Sequence, residues 1–226
     1  MCGRYTLRLQ AEELADQLAL PMDDGFDWQP GYNIAPSQMI PAVILKPEKT
    51  LTLLQWGLIP HWMKPKPDGT INGFINARSE TAAQKPSFRT AFLHKRCLIL
   101  ADGFYEWKKL GGNTKQPMYF TTEDQRLLTF AGLWSTWTSP TEETRHTCTI
   151  LTTQPNSLVK EAHDRMPVIL PPDRRELWLE ADDPGLLQSV LSPFPADQMI
   201  AYPVSKHVNN ARFNDPICVQ PITTLL

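Results

Sequence analysis

The chain has little with which to build metal or cofactor chemistry. Its four cysteines are Cys2, Cys97, Cys148 and Cys218, and none has the CxxC or Cys/His spacing of a zinc site. No GxGxxG, phosphate-cradling glycine loop or HExxH run occurs, so neither a metal nor a cofactor is expected. No apolar run approaches the roughly 20 residues of a membrane helix. The start Met-Cys-Gly-Arg-Tyr also has no apolar signal-peptide region. These absences predict a cytoplasmic protein with free thiols and no membrane contact. The formal charge is only −2, which excludes a uniformly basic nucleic-acid coat but allows a local basic groove. Glycine is sparse, 11 residues against 21 prolines. Proline interrupts helices and central strands, so short elements and rigid turns are expected.

What is present is enough apolar sequence, 42% of 226 residues, for a sizeable core. Helical spacing of Leu9, Leu14 and Leu18 predicts a helix over 9–20. Asp173 after Pro171-Pro172 predicts another over 173–181, and a third is expected over 155–163. Short runs rich in β-branched and aromatic residues predict strands at 42–46, 51–57, 97–100, 117–121, 127–134 and 147–153. Lys109-Leu110-Gly111-Gly112-Asn113 reads as a hairpin loop. Strands outnumber helices without regular alternation. The expected fold class is therefore α+β: a single domain over 1–226, mainly antiparallel sheet, barrel-like, with a few flanking helices. Basic residues gather between 85 and 115 (Lys85, Arg89, Lys95, Arg96, Lys108, Lys109, Lys115). They are either ordinary surface scatter or one face that tracks phosphates.

Several residues carry possible chemistry, each with an ordinary alternative. Cys2 is either a small residue suited to removal of Met1 or, once exposed as the N-terminus, a 1,2-aminothiol. An α-amine and a thiol ordinarily titrate at about 8 and 8.5, which leaves both reactive near neutrality. In Asn76-Ala77-Arg78-Ser79-Glu80, Asn76 or Ser79 fits a helix cap, while Arg78 also fits a phosphate contact. Glu106, between Tyr105 and Trp107, is either a salt-bridged structural acid or a carboxyl with a raised pKa for proton transfer. His163 fits a helix end or a proton shuttle, and Arg165 beside it fits a phosphate contact. Trp56 and Trp62 fit a core or a stacking platform. The loop Asn33-Ile34-Ala35-Pro36-Ser37-Gln38 offers backbone amides.

Taken together and in order, these segments resemble the SOS-response-associated peptidase (SRAP) family. The resemblance runs through Met1–Tyr5, Tyr32–Pro36, Trp56–Pro60, Asn76–Thr81, Pro86–Arg89, Arg96–Ile99, Ala101–Trp107, His163–Pro167 and Val204-Ser205 with Val208-Asn209. It departs at Leu100, Ala162 and Gln154-Pro155-Asn156, the last bearing on where His163 is placed. The resemblance implies a protein that binds single-stranded DNA containing abasic sites and cross-links to the ring-opened sugar through a thiazolidine at Cys2; a monomer is expected. It implies Cys2, Asn76, Glu106 and His163 as catalytic residues. Arg4, Arg78, Arg165, Trp107, Ser37 and Arg89 are implied for DNA binding. An N-terminal-nucleophile peptidase, acting at least on Met1, and a non-covalent reader of damaged single strands are the competing functions.

Overall fold

The computed structural model describes residues 2–112 and 114–222. Met1, with its expected removal, and Asn113 of the expected hairpin loop lie outside the described residues. The strands are β1 (Tyr5–Leu7), β2 (Gly31–Ile34), β3 (Met39–Leu45), β4 (Lys49–Trp56), β5 (Asn76–Arg78), β6 (Arg96–Ala101), β7 (Gly103–Gly111), β8 (Thr114–Thr121), β9 (Leu128–Thr138), β10 (Thr144–Thr153), β11 (Met166–Pro167) and β12 (Ile200–Pro203). The helices are α1 (Ala11–Leu18), α2 (Ser79–Ala82), α3 (Arg89–His94), α4 (Ser157–Lys160), α5 (Pro172–Glu180) and α6 (Pro184–Ser189).

One sheet runs β11-β10-β4-β3-β6-β9, and β10 also pairs with β9. The path β10-β4-β3-β6-β9 thus closes on itself, the barrel that strand-rich patterning leads one to expect. Pairing is antiparallel except where β10 meets β4 and β5. The second sheet, β12-β8-β7-β1-β2, is antiparallel throughout. Tyr5, Trp56, Phe104, Phe120 and Phe130 are fully buried in the main core. Tyr5 meets Trp56 and Phe130 edge-on, a favoured aromatic arrangement. Among the described residues, no helix is long and apolar enough to cross a membrane.

The N-terminal strand is fixed by Asp102. Its carboxylate accepts from the Thr6 hydroxyl, from the Arg8 backbone N–H at 2.7 Å and from Arg8 Nε at 2.9 Å. Asp102 is 3% exposed, so this pairing offsets a desolvation cost that an isolated buried carboxylate could not meet. The consequence is positional: β1 lies against the start of β7, with Tyr5 opposite Phe104, and carries Cys2 toward Glu106.

Two helix readings need correction. The helix expected over 155–163 is one turn, Ser157–Lys160, entered through Asn156, whose side chain accepts from the Val159 N–H at 2.9 Å. Neither Asn76 nor Ser79 caps a helix: Asn76 opens β5, and Arg78 stands at the N-cap of α2 without a side-chain bond. The strand ladder to β10 holds the Asn76 segment extended, and tertiary pairing overrides its local capping tendency.

Candidate active site

Four distant segments meet at the N-terminus. Asn76 Nδ2 donates to the Cys2 carbonyl at 2.8 Å. Its buried Oδ1 has no hydrogen-bond partner among the described residues. Parallel pairing of Asn76 with Ile150 sets its position. Glu106 comes from β7, where strand alternation puts Phe104 and Glu106 on one face and Tyr105 and Trp107 on the other. His163 follows α4, its backbone N–H donating to the Val159 carbonyl at 2.9 Å. Its Nε2 lies 4.0 Å from Glu106 Oε2.

Burial sets the electrostatics. Glu106 is 2% exposed, and desolvation, with some repulsion from Asp164, pushes its pKa up to about 7. Its pKa is therefore raised, and it also stands within ion-pair distance of His163. The Cys2 thiol is fully buried. Desolvation first, and the Glu106 charge second, raise its pKa and keep it protonated. His163 is pulled below its ordinary value, chiefly by desolvation. Its Nδ1 accepts from the Arg165 N–H at 3.0 Å and also lies 2.9 Å from Asp164 Oδ1. One nitrogen cannot accept from the amide and donate to the carboxylate at once. For the neutral ring we assign Nδ1 as acceptor and place the proton on Nε2, facing Glu106.

Glu106 and His163 line a groove of about 1000 Å³ whose wall also includes Trp107, Lys109, Lys115 and Lys160. A second hollow, about 650 Å³, continues past Trp107 and Lys115 to Lys206 and Asn209. Trp107 is held there by its indole N–H, which donates to Asn209 Oδ1 at 2.7 Å. Among the described residues, no group of three His, Cys, Asp or Glu side chains is placed to hold a metal ion.

The other sequence candidates are spread out. Arg4 lies near the N-terminus but donates to Asn33 Oδ1 at 2.9 Å and to the Val208 carbonyl at 2.7 Å. Arg165 is buried and forks onto Glu80. Arg78, Arg89 and Ser37 are exposed, and none lines the groove. The basic residues between 85 and 115 do not form one face. Arg96 is buried against the carbonyls of Trp178, Leu179 and Ala181, Lys95 lies over the Trp134 ring, and Lys108 pairs with Glu161 at 3.4 Å. Only Lys109 and Lys115 of that set reach the groove. Sequence reasoning missed Lys160 and Lys206, which join it from α4 and from the segment after β12. No local signal marks a lone exposed lysine as part of a distant groove.

Fold and site together define a protein in which a carboxyl of raised pKa and an imidazole line a lysine-bearing groove, with a buried cysteine close to the carboxyl. The chain belongs to the SOS response associated peptidase (SRAP) family, whose profile matches residues 1–211. It is 44% identical over 225 residues to the abasic site processing protein YoqW of Bacillus subtilis (strain 168), covering 97% of this chain and 99% of the relative. It is 34% identical over 229 residues to the abasic site processing protein HMCES of Xenopus tropicalis, covering 88% of this chain and 68% of the relative. The crystal structure of a Bacteroides thetaiotaomicron protein superposes with a TM-score of 0.89 at 28% identity, covering 98% of this chain and 100% of that one.

Proposed function

We propose that this chain processes abasic sites in single-stranded DNA by bonding to them through Cys2 after Met1 is removed, acting as a monomer in the cytoplasm. The observation that carries the proposal is that Asn76 bonds the Cys2 carbonyl, the Glu106 charge acts on the buried Cys2 thiol, and His163 stands beside Glu106 where those two line the groove. The relatives named as abasic site processing proteins support it.

An abasic sugar is mostly a closed hemiacetal. Opening it takes a proton from the hydroxyl and delivers one to the ring oxygen, and positioned acids and bases typically contribute about 10²–10⁴-fold. Glu106, with a pKa near 7, takes the hydroxyl proton and returns it to the ring oxygen, while the neutral His163 donates a hydrogen bond from Nε2–H to that oxygen as the ring opens. The Cys2 amine then attacks the aldehyde and expels water to give an imine. An imine alone acidifies the adjacent carbon and invites strand cleavage. Addition of the Cys2 sulfur to the imine carbon forms the C–S bond of a five-membered thiazolidine. The thiol is held neutral, so its proton must leave as the bond forms, and Glu106 is the nearby base that relays it to the nitrogen. Asn76 fixes the Cys2 carbonyl and so the direction of the amine and thiol. Lys109, Lys115, Lys160 and Lys206 hold phosphates, and Trp107 stacks on a base.

The test is a denaturing gel with a single-stranded oligonucleotide carrying one abasic site. Wild type forms a complex that survives denaturation, while Cys2→Ala forms none and Cys2→Ser forms little. Nicked DNA without a complex, or an undiminished complex in Cys2→Ala, defeats the proposal.

A further inference from the structure

Arg165 is not placed like a residue waiting for a phosphate. Its side chain is 7% exposed, and its guanidinium forks onto Glu80, Nη1 to Oε1 at 2.6 Å and Nη2 to Oε2 at 2.8 Å. Nη2 also donates to the Thr152 carbonyl at 2.5 Å. Paired, planar recognition of this kind is the strong form of an ion pair. A phosphate could bind only by displacing Glu80, whose side chain is 41% exposed, and by giving up a bidentate pair already made to the buried guanidinium.

The pair joins the segment that carries Asn76 to the segment that carries His163. Thr152 of β10 is flanked on one side by Arg78 of β5 and on the other by Pro167 of β11. Glu80 lies just past β5, four residues after Asn76, and Arg165 lies just before β11, two residues after His163. The ion pair therefore spans β10 at Thr152. The Arg165 backbone N–H is also the donor to His163 Nδ1, so the position of Arg165 fixes the ring orientation and its tautomer.

Resting on the proposed function for what the site does, we propose that Glu80 and Arg165 form a clamp that positions His163 against the Asn76–Cys2 side of the site, and that Arg165 is a positioning residue rather than a phosphate contact. Loosening the clamp then changes proton transfer and leaves DNA affinity alone.

The test uses the full chain with Glu80→Gln and the milder Arg165→Lys, each checked for cooperative thermal unfolding. Three quantities are read: His163 titration and tautomer by ¹⁵N NMR, the pH profile of cross-linking, and the salt dependence of binding to an intact single strand. In both variants the His163 titration shifts and the cross-linking profile moves with it, the rate falling roughly tenfold or more. Affinity for intact DNA stays within about twofold, and its salt slope is unchanged. An unchanged His163 titration in both variants overturns the clamp. So does a salt slope reduced by about 0.7 in Arg165→Lys, the signature of one lost phosphate on a single strand. If wild type forms no cross-link, the proposed function fails while the NMR arm still decides the clamp.

Discussion

His163 Nε2 stands 4.0 Å from Glu106 Oε2, while its Nδ1 accepts the Arg165 N–H at 3.0 Å. The first separation is too long for a direct hydrogen bond and short enough for both groups to act on one small substrate centre. In the proposed function the pair acts as a proton carrier, Glu106, and a hydrogen-bond donor, His163, facing a common point. With the Glu106 pKa near 7, the rate of cross-linking rises with pH through about 7 as the carboxylate appears. Glu106→Gln removes that limb and lowers the rate by roughly 10²–10⁴-fold. A pH series of single-turnover gels checks both statements.

The raised Glu106 pKa has a stability consequence of opposite sign. Folding moves this carboxyl from 4.5 to about 7. Below pH 4.5 the acid is neutral in both the folded and the unfolded chain, and its burial carries no charge penalty. As pH rises from 4.5 through 7 the unfolded chain loses its proton first, and stability falls progressively. Glu106→Gln is accordingly more stable than wild type at pH 8, by on the order of 1–3 kcal/mol, and loses that advantage at pH 4.5. Thermal melts at the two pH values read the difference. A buried carboxyl kept at a cost in stability is a common trade between function and folding.

Trp107 gives a prediction about affinity rather than chemistry. Its indole is fixed by Asn209 at the junction of the two hollows. Trp107→Ala weakens binding to intact single-stranded DNA by roughly 1–3 kcal/mol, the usual value of one stacked base. Asn209→Ala keeps the ring but releases it, and weakens binding less. Fluorescence anisotropy with a labelled oligonucleotide resolves both.

The groove lysines are separable from Trp107 by salt. Lys115→Ala lowers the slope of log affinity against log salt by about 0.7, as does Lys160→Ala, while Trp107→Ala leaves the slope unchanged. Titrations at several salt concentrations make the distinction.

How far these features are legible in the sequence depends on their range. The helix at Ala11–Leu18 is readable because Leu14 and its neighbours repeat at helical spacing, and it stops where Ala19 turns left-handed at φ 51°. The long hairpin partners β9 and β10 are readable as apolar runs, though both extend beyond the expected limits. β1, β5, β11 and β12 have two to four residues each, too few for any periodicity, and exist because distant strands pair with them. Cys2, Asn76, Glu106 and His163 are recognisable through their family motifs, but their meeting is a property of the sheets. Glu80 stands in view inside the Asn76 motif. Its opposite charge to Arg165 is the available clue, and 85 residues separate the two.

Gly103 is a place where the backbone itself supports the site. A Cβ there would come within 2.2 Å of the Tyr119 hydroxyl. That ring is fully buried and its hydroxyl is 2.7 Å from Thr6 Oγ1, so it has nowhere to move. Gly103→Ala destabilises by about 1–3 kcal/mol or more, displaces the start of β7, and lowers cross-linking along with melting temperature. A variant that melts like wild type contradicts this.

The central claim is that both the amine and the thiol of Cys2 end up bonded to the sugar. Mass spectrometry of the nuclease- and protease-treated complex tests it most directly. The expected product is an N-terminal peptide beginning at Cys2, carrying one sugar-phosphate remnant with the loss of one water and no alkylatable thiol on Cys2. A remnant on Lys109, Lys115 or Lys160, a peptide retaining Met1, or an adduct whose Cys2 thiol still alkylates would contradict that claim.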